Sequence, residues 1–267
     1  MTSIAAPEVT SPLAQSLALS RRAVLGLFRQ PQVWIPSILF PMFFAALNTA
    51  ALNRTTSLPG FPAADSFLDF LVPATITQAV LFGSLSGASE LAQDIENRFF
   101  ERLVAAPVWR TSILVGRLAG AGVLGVIQAV VILSVFSLFG ARVQAGLPGL
   151  VLLPLVAMLL AVAVGALMSS MALRTGSVEA VQGAFPVVFI FIFASSAFFP
   201  RQLMQGWFKT MATLNPVSWM IEGLRHQVLV GFDLGEAATA LAVPVGLGAA
   251  SITLALWSLR QRLAMAS

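Results

Sequence analysis

The 267-residue chain is 58% hydrophobic and only 10% charged, too apolar and too charge-poor for a water-soluble domain to cover its own surface, so a bilayer is its solvent. A net charge of +4, from 15 basic and 11 acidic residues, reads as arginine at membrane edges rather than a nucleic-acid footprint. Cysteine is absent, which excludes disulfide and thiolate chemistry.

From the N-terminus, Pro12 can open a helix after Ser11. Leu13, Leu17, Val24 and Phe28 then recur at near-helical intervals, with Arg21, Arg22 and Arg29 free to reach headgroups. Residues 12–30 are expected to form an amphipathic helix on the membrane surface; the alternative is a solvated leader. Six runs then approach or exceed the ~20 apolar residues a helix needs to cross the hydrocarbon: 33–52, 67–89, 118–139, 150–172, 180–199 and 239–258. They are continuous rather than alternating, which favours helices over strands. The expected fold is therefore all-α: a polytopic membrane protein with six transmembrane helices in one domain. Pro36, Pro41, Pro73, Pro154 and Pro186 are compatible with such helices, because neighbouring groups can satisfy a freed carbonyl.

Six spans put both termini on one side, and that side carries Arg21, Arg22, Arg29, Arg98, Arg102, Arg110, Arg117, Arg174, Arg260 and Arg262. The other side carries Arg54, Arg142, Arg201, Lys209 and Arg225. The excess of basic residues places both termini in the cytoplasm and the protein in the cell (inner or plasma) membrane. The segment 200–238 is then external. It is long and not especially polar, so helices that re-enter the outer leaflet suit it, with Asn215-Pro216 as the break between two pieces.

The chain carries no catalytic or metal-binding set. A P-loop needs glycine before its lysine, yet the only lysine, Lys209, follows Phe208. The only histidine is His226, and Gly83-Ser84-Leu85-Ser86-Gly87 has leucine where a nucleophile elbow has serine. Span interiors hold Asn48, Gln78 and Gln128 but no central carboxylate, since Asp69, Glu90 and Glu179 lie near ends. Gly83/Gly87 and Gly116/Gly120 read as small-residue pairs for close helix packing. The chain is expected to be no enzyme, with energy arriving from outside.

Between the second and third apolar runs lies a charged island, Glu90 to Arg117. Taken as one helix, Asp94 to Ala106 puts Ile95, Phe99, Leu103, Phe100 and Val104 on one face and Asp94, Arg98, Glu101 and Arg102 on the other. Asp94 with Arg98, and Arg98 with Glu101, have the spacing to pair, and Pro107 ends the helix. On the residues alone this is either an amphipathic helix with a cytosolic charged face or a plain interfacial turn.

"DIENRFFERLVAAPVWRTSILVGRL" resembles the D-[IL]-E-x-G-F-F-[DE]-R-L…P-[VI] stretch of type-two ABC exporter permeases, especially the daunorubicin/doxorubicin-resistance class. "LNPVSWMIEGLRHQVLVG" is similar to that family's N-P-[VL]…E-x-[LI]-R…G before the last span. With the N-terminal helix and six spans, the resemblance covers nearly the whole chain. It implies that 94–107 is a coupling helix docking into a separate ATPase subunit through Asp94, Glu96, Phe99, Phe100, Glu101, Arg102 and Pro107, with Arg98 among them. It implies an external gating or structural role for Asn215, Pro216, Glu222 and Arg225. It further implies ATP and Mg on the partner subunit with no cofactor in this chain, a second permease copy or paralogue, and an amphipathic drug, lipid or lipid-linked glycan as substrate. Arg98 stands where the family has glycine, which speaks against a tight bend there and for an uninterrupted helix. The rival readings are a stand-alone channel or secondary carrier, and a structural membrane subunit.

Overall fold

The computed structural model describes residues 11–100, 102 and 109–265. These residues are helical almost throughout. The elements are α1 (Pro12–Arg29), α2 (Pro31–Leu52), α3 (Phe67–Glu96), α4 (Arg110–Leu138), α5 (Gly146–Thr175), α6 (Val178–Gln182), α7 (Phe185–Phe193), α8 (Gly206–Leu214), α9 (Pro216–Leu229) and α10 (Leu234–Met265). Among the described residues, five helices, built on α2, α3, α4, α5 and α10, are long and apolar enough to cross a membrane. Pro36 and Pro41 sit inside α2, Pro73 inside α3 and Pro154 inside α5, as lipid-compatible prolines do.

The centre of the bundle is α3. Every residue from Phe67 to Leu81 is buried, wrapped by α2, α4, α5 and α9. A capping box starts the helix: Ser66 Oγ accepts from Asp69 N–H (3.2 Å) and Asp69 Oδ2 accepts from Ser66 N–H (3.1 Å). Its hydroxyls turn back on their own helix, with Thr75 donating to Leu71 O, Thr77 to Pro73 O and Ser84 to Val80 O.

The expected span at 180–199 is not one helix. It breaks at Gly183-Ala184, just before Pro186, which has no N–H to offer the preceding turn. It ends again after Phe193, where Ser195 Oγ donates to Ile192 O (2.5 Å) and accepts from Ala197 N–H (3.2 Å), replacing backbone ladder bonds with side-chain ones. Even so, the segment runs the length of α3. Val178 N–H donates to Glu96 Oε1 (2.8 Å) at one end, and Arg225 binds the carbonyls of Ser196, Ala197 and Phe70 at the other.

The chain connections fall into two groups. At the terminal end, Trp109 N–H donates to Gln15 Oε1 (2.8 Å), Trp34 Nε1 to Leu27 O (2.7 Å) and Arg262 Nη1 to Leu173 O (2.9 Å). At the opposite end, Phe67 N–H donates to Asn53 Oδ1 (3.0 Å), Arg142 N–H to Asp69 Oδ1 (3.1 Å) and Ala145 N–H to Gln227 O (3.0 Å). The two sets of basic residues counted in the sequence separate along the same line.

The N-terminal helix runs Pro12–Arg29, against the expected 12–30, and does not lie alone on a surface. It runs alongside the first turns of α4: Ser16 Oγ donates to Ser112 Oγ (2.9 Å), Leu19 packs on Gly116 and Ala23 on Gly120. Its other face leaves Leu13, Leu17 and Phe28 exposed. The Gly116/Gly120 pair thus packs helix on helix as expected. Gly83 does too, against Gln128 and Leu124, but Gly87 faces open space.

Candidate functional site

At the terminal end, α3 closes with Asn97 N–H donating to Gln93 O (2.9 Å) and Arg98 N–H to Ile95 O (3.0 Å). Arg98 then has φ +56°, the only positive φ among the described non-glycine residues, and the chain turns helical again at Phe99. The uninterrupted helix expected over 94–106 is therefore wrong: a bend sits at Arg98. A left-handed conformation costs a side-chain-bearing residue about 1–2 kcal/mol, so the bend is held by its surroundings. Phe100 is buried, anchoring the segment after the bend, while Arg102 is exposed. Phe99 is half-exposed, with the Arg22 guanidinium 5.9 Å from its ring centre.

The bend also redirects the charges. Asp94 does not pair with Arg98, which lies beyond the turn; it forms an ion pair with Arg117 of α4. Glu96 accepts from Val178 N–H at the start of α6. Glu101 and Pro107 lie outside the described residues, as do the expected partnership of Arg98 with Glu101 and the helix stop at Pro107.

At the opposite end, the four motif residues converge on the broken stretch after α7. Asn215 caps α9 by accepting from Val217 N–H (3.0 Å), and its Nδ2 donates to Phe191 O (2.7 Å). Pro216, at the first helical position, has no N–H to leave unpaired. Glu222 pairs with Arg201 beyond the break. Arg225 is buried, donating from Nε to Phe70 O (3.1 Å) and from Nη2 to Ser196 O and Ala197 O (2.9 Å each). Its guanidinium lies 3.6 Å from the Phe70 ring centre. Sequence reasoning missed one member, Ser218, whose Oγ accepts from Ser196 N–H (3.0 Å). Only its place one turn past the Asn-Pro break could have pointed to it.

No group of three or more metal-ligating side chains occurs among the described residues. Both sites hold and connect helices rather than assemble reactive groups.

The two sites occupy a stretch with a recognisable family pattern: the ABC-2 type transporter family matches residues 14–229. The chain belongs to the ABC-2 type transporter family. It is similar to a putative transport permease, ycf38, of Pyropia yezoensis, 32% identical over 78% of this chain and 72% of the relative. It is also similar to a probable doxorubicin resistance ABC transporter permease, DrrC, of Mycobacterium tuberculosis, 27% identical over 84% of this chain and 78% of the relative. A daunorubicin resistance ABC transporter permease, DrrB1, of Streptomyces coeruleorubidus is 25% identical over 90% of this chain and 84% of the relative. As an ABC-2 family member, the chain is a membrane permease subunit of an ABC transporter.

Proposed function

We propose that this ABC-2 permease is the membrane half of an ATP-driven exporter of a hydrophobic or amphipathic substrate, powered by a separate ATPase subunit that binds ATP and Mg. The observation that carries the reading is the break at Arg98. It turns the chain off the end of the central helix at Phe99, with Phe100 buried and Arg102 exposed, as a docking element needs. Asp94 and Glu96 connect its base to α4 and to α6. A push from the ATPase on 94–107 therefore reaches three helices at once. The excess of arginine at this end makes it the cytoplasmic one, with both termini there.

In this reading the discontinuous 178–199 segment completes a sixth crossing, and α8 and α9 dip into the outer leaflet as an external gate. Asn215, Pro216, Glu222 and Arg225 hold that gate. The exposed apolar faces of α1 and α2 meet lipid and a second permease, either a copy or a paralogue. The names of the doxorubicin and daunorubicin resistance relatives support export of amphipathic compounds.

With the permease co-expressed with its ATPase, Phe99→Ala and Glu101→Ala are expected to lower ATP-dependent export while leaving membrane insertion intact. Unchanged export and unchanged co-purification in both variants would overturn the docking assignment. A stand-alone channel or carrier predicts transport without any ATPase in the same vesicles.

A further inference from the structure

Helices α4 and α10 both pack on α5. Where the first turn of α4 meets the last turns of α10, at the terminal end, they leave a cavity of about 370 Å³. On the α10 side Leu256, Leu259, Arg260 and Leu263 recur at helical intervals and form one stripe; on the α4 side stand Arg110 and Thr111. One turn further into the bundle, Leu114 of α4, Ala166 of α5 and Ala255 of α10 join in a buried apolar cluster.

The arginines around this cavity are of two kinds. Arg174 donates from Nε to Ser258 Oγ (2.9 Å) and lies 4.5 Å from the Trp257 ring centre, and Arg262 donates from Nη1 to Leu173 O (2.9 Å). Those two fasten α10 to α5. Arg110 and Arg260 are exposed, and among the described residues neither side chain makes a hydrogen bond or ion pair, nor does the Thr111 hydroxyl. No carboxylate lines the cavity among the described residues. The acids of this end stand elsewhere: Asp94 and Glu90 by Arg117, Glu96 on Val178 N–H and Glu179 on the Ser177 hydroxyl. Two unengaged guanidiniums, a hydroxyl and three leucines make a surface for a group that is anionic at one end and apolar at the other.

The level in the membrane agrees. With 29 and 32 residues, α4 and α10 are about 44 and 48 Å long by their rise per residue, well beyond the ~30 Å hydrocarbon layer, so their ends reach headgroup depth. Trp257 and Val115, one turn inward from Arg260 and Thr111 on the same helix faces, are exposed apolar surface, and an indole at this level is what membrane interfaces collect.

We propose that this cavity seats an anionic phospholipid of the cytoplasmic leaflet, with Arg110, Arg260 and the Thr111 hydroxyl on its phosphate and Leu256 and Leu259 against the start of its acyl chains. The planar fork of arginine suits phosphate oxygens, and basic pockets between membrane helices recognise anionic headgroups in this way. A lipid held there bridges α4 and α10, which share no hydrogen bond of their own among the described residues. The choice of leaflet rests on the orientation in the exporter reading; the binding does not.

The test uses purified, delipidated permease in neutral detergent without an ATPase. Native mass spectrometry follows retention of dioleoyl phosphatidylglycerol and dioleoyl phosphatidylcholine, which share their chains and differ in net charge. The wild type is expected to retain the phosphatidylglycerol in preference. Arg110→Gln with Arg260→Gln is expected to weaken that binding about 30-fold, at about fivefold for each arginine. Arg21→Gln with Arg29→Gln removes the same charge from exposed positions on α1 at the same end, and leaves the preference as it was. Inorganic phosphate at millimolar concentration is expected not to displace the lipid. Equal retention of the two lipids by the wild type, equal phosphatidylglycerol affinity in the wild type and the Arg110/Arg260 variant, or an equal loss in both double variants overturns the proposal. Displacement by inorganic phosphate overturns the assignment to a lipid. Each variant is first shown to elute as the wild type does, and the single variants Arg110→Gln and Arg260→Gln decide the matter if the double does not. Failure of the exporter reading is seen separately, as export that needs no ATPase.

Discussion

Phe70 engages Arg225 twice: its ring lies 3.6 Å from the guanidinium carbon and its carbonyl accepts from Nε at 3.1 Å. A buried cation is thereby held by carbonyl dipoles and a ring face rather than a carboxylate, since Glu222, one turn away, is engaged by Arg201. The same guanidinium takes the free carbonyls of Ser196 and Ala197, where the chain has left helical geometry. One side chain thus fastens the start of α3 to the end of the broken crossing.

Arg225→Lys keeps the charge but loses the fork that serves three carbonyls. Hydrogen bonds to charged groups contribute about 1.5–3 kcal/mol each, so the variant should lose at least about 1.5 kcal/mol. Phe70→Leu should lose less, and the double mutant should lose less than the sum. Thermal unfolding of purified variants measures the cycle. Additive losses would show that ring and guanidinium do not act together.

Gln78 sits in the fully buried part of α3 with Oε1 and Nε2 both lacking partners among the described residues. A buried amide left unpaired costs about 1–3 kcal/mol, and leucine has nearly its volume. Gln78→Leu should therefore raise the unfolding temperature. A fall would mean that the amide binds a water or ligand in the bilayer-embedded protein. Gln128 is the internal contrast: its Nε2 donates to Ser37 Oγ and Ala79 O (2.8 Å each), so Gln128→Leu should destabilise.

Long apolar runs announced the crossings because nothing else satisfies backbone polarity in lipid, and Asn215-Pro216 announced the break between α8 and α9 because cap and proline act locally. Neither kind of signal says which helix is surrounded by protein. The serine and threonine content of α3, unusual for a lipid-facing helix, was the available clue to its central place. The break in the 180–199 run was masked by hydrophobicity: Phe185 to Phe193 is apolar enough for any span, while Ser195 replaces the helix bonds together with Ser218 and Arg225, which are distant in sequence. Asp94 was assigned a neighbour on its own helix because periodicity sees only one helix. Its partner Arg117 is 23 residues away, on α4.

Gly116 and Gly87 look alike in sequence yet predict opposite outcomes. A Cβ on Gly116 comes within 2.8 Å of Leu19 Cβ and 3.0 Å of its backbone carbon, whereas Gly87 has room. Gly116→Val should drive α1 off α4, destabilising by about 1–3 kcal/mol as overpacking does. Because the chain has no cysteine, a single Ser16→Cys reports the separation: its labelling should quicken in the Gly116→Val background. Labelling unchanged by Gly116→Val would mean that α1 does not depend on this contact.

Arg98→Gly separates the bend from a continuous helix by the sign of one measurement. In the left-handed conformation that Arg98 holds, φ +56°, glycine escapes the Cβ clash and should stabilise the protein by about 1 kcal/mol. In an unbroken helix the same substitution would cost about 0.8–1.0 kcal/mol against a good helix former. Thermal unfolding of Arg98→Gly and Arg98→Ala decides between them: the bend requires glycine above wild type and alanine no better than wild type. Arg98 is exposed and makes no ion pair among the described residues. If glycine instead lowers stability while alanine raises it, the segment from Asp94 onward is a straight helix, and whatever docks on 94–107 meets a continuation of α3 rather than an element turned away from it.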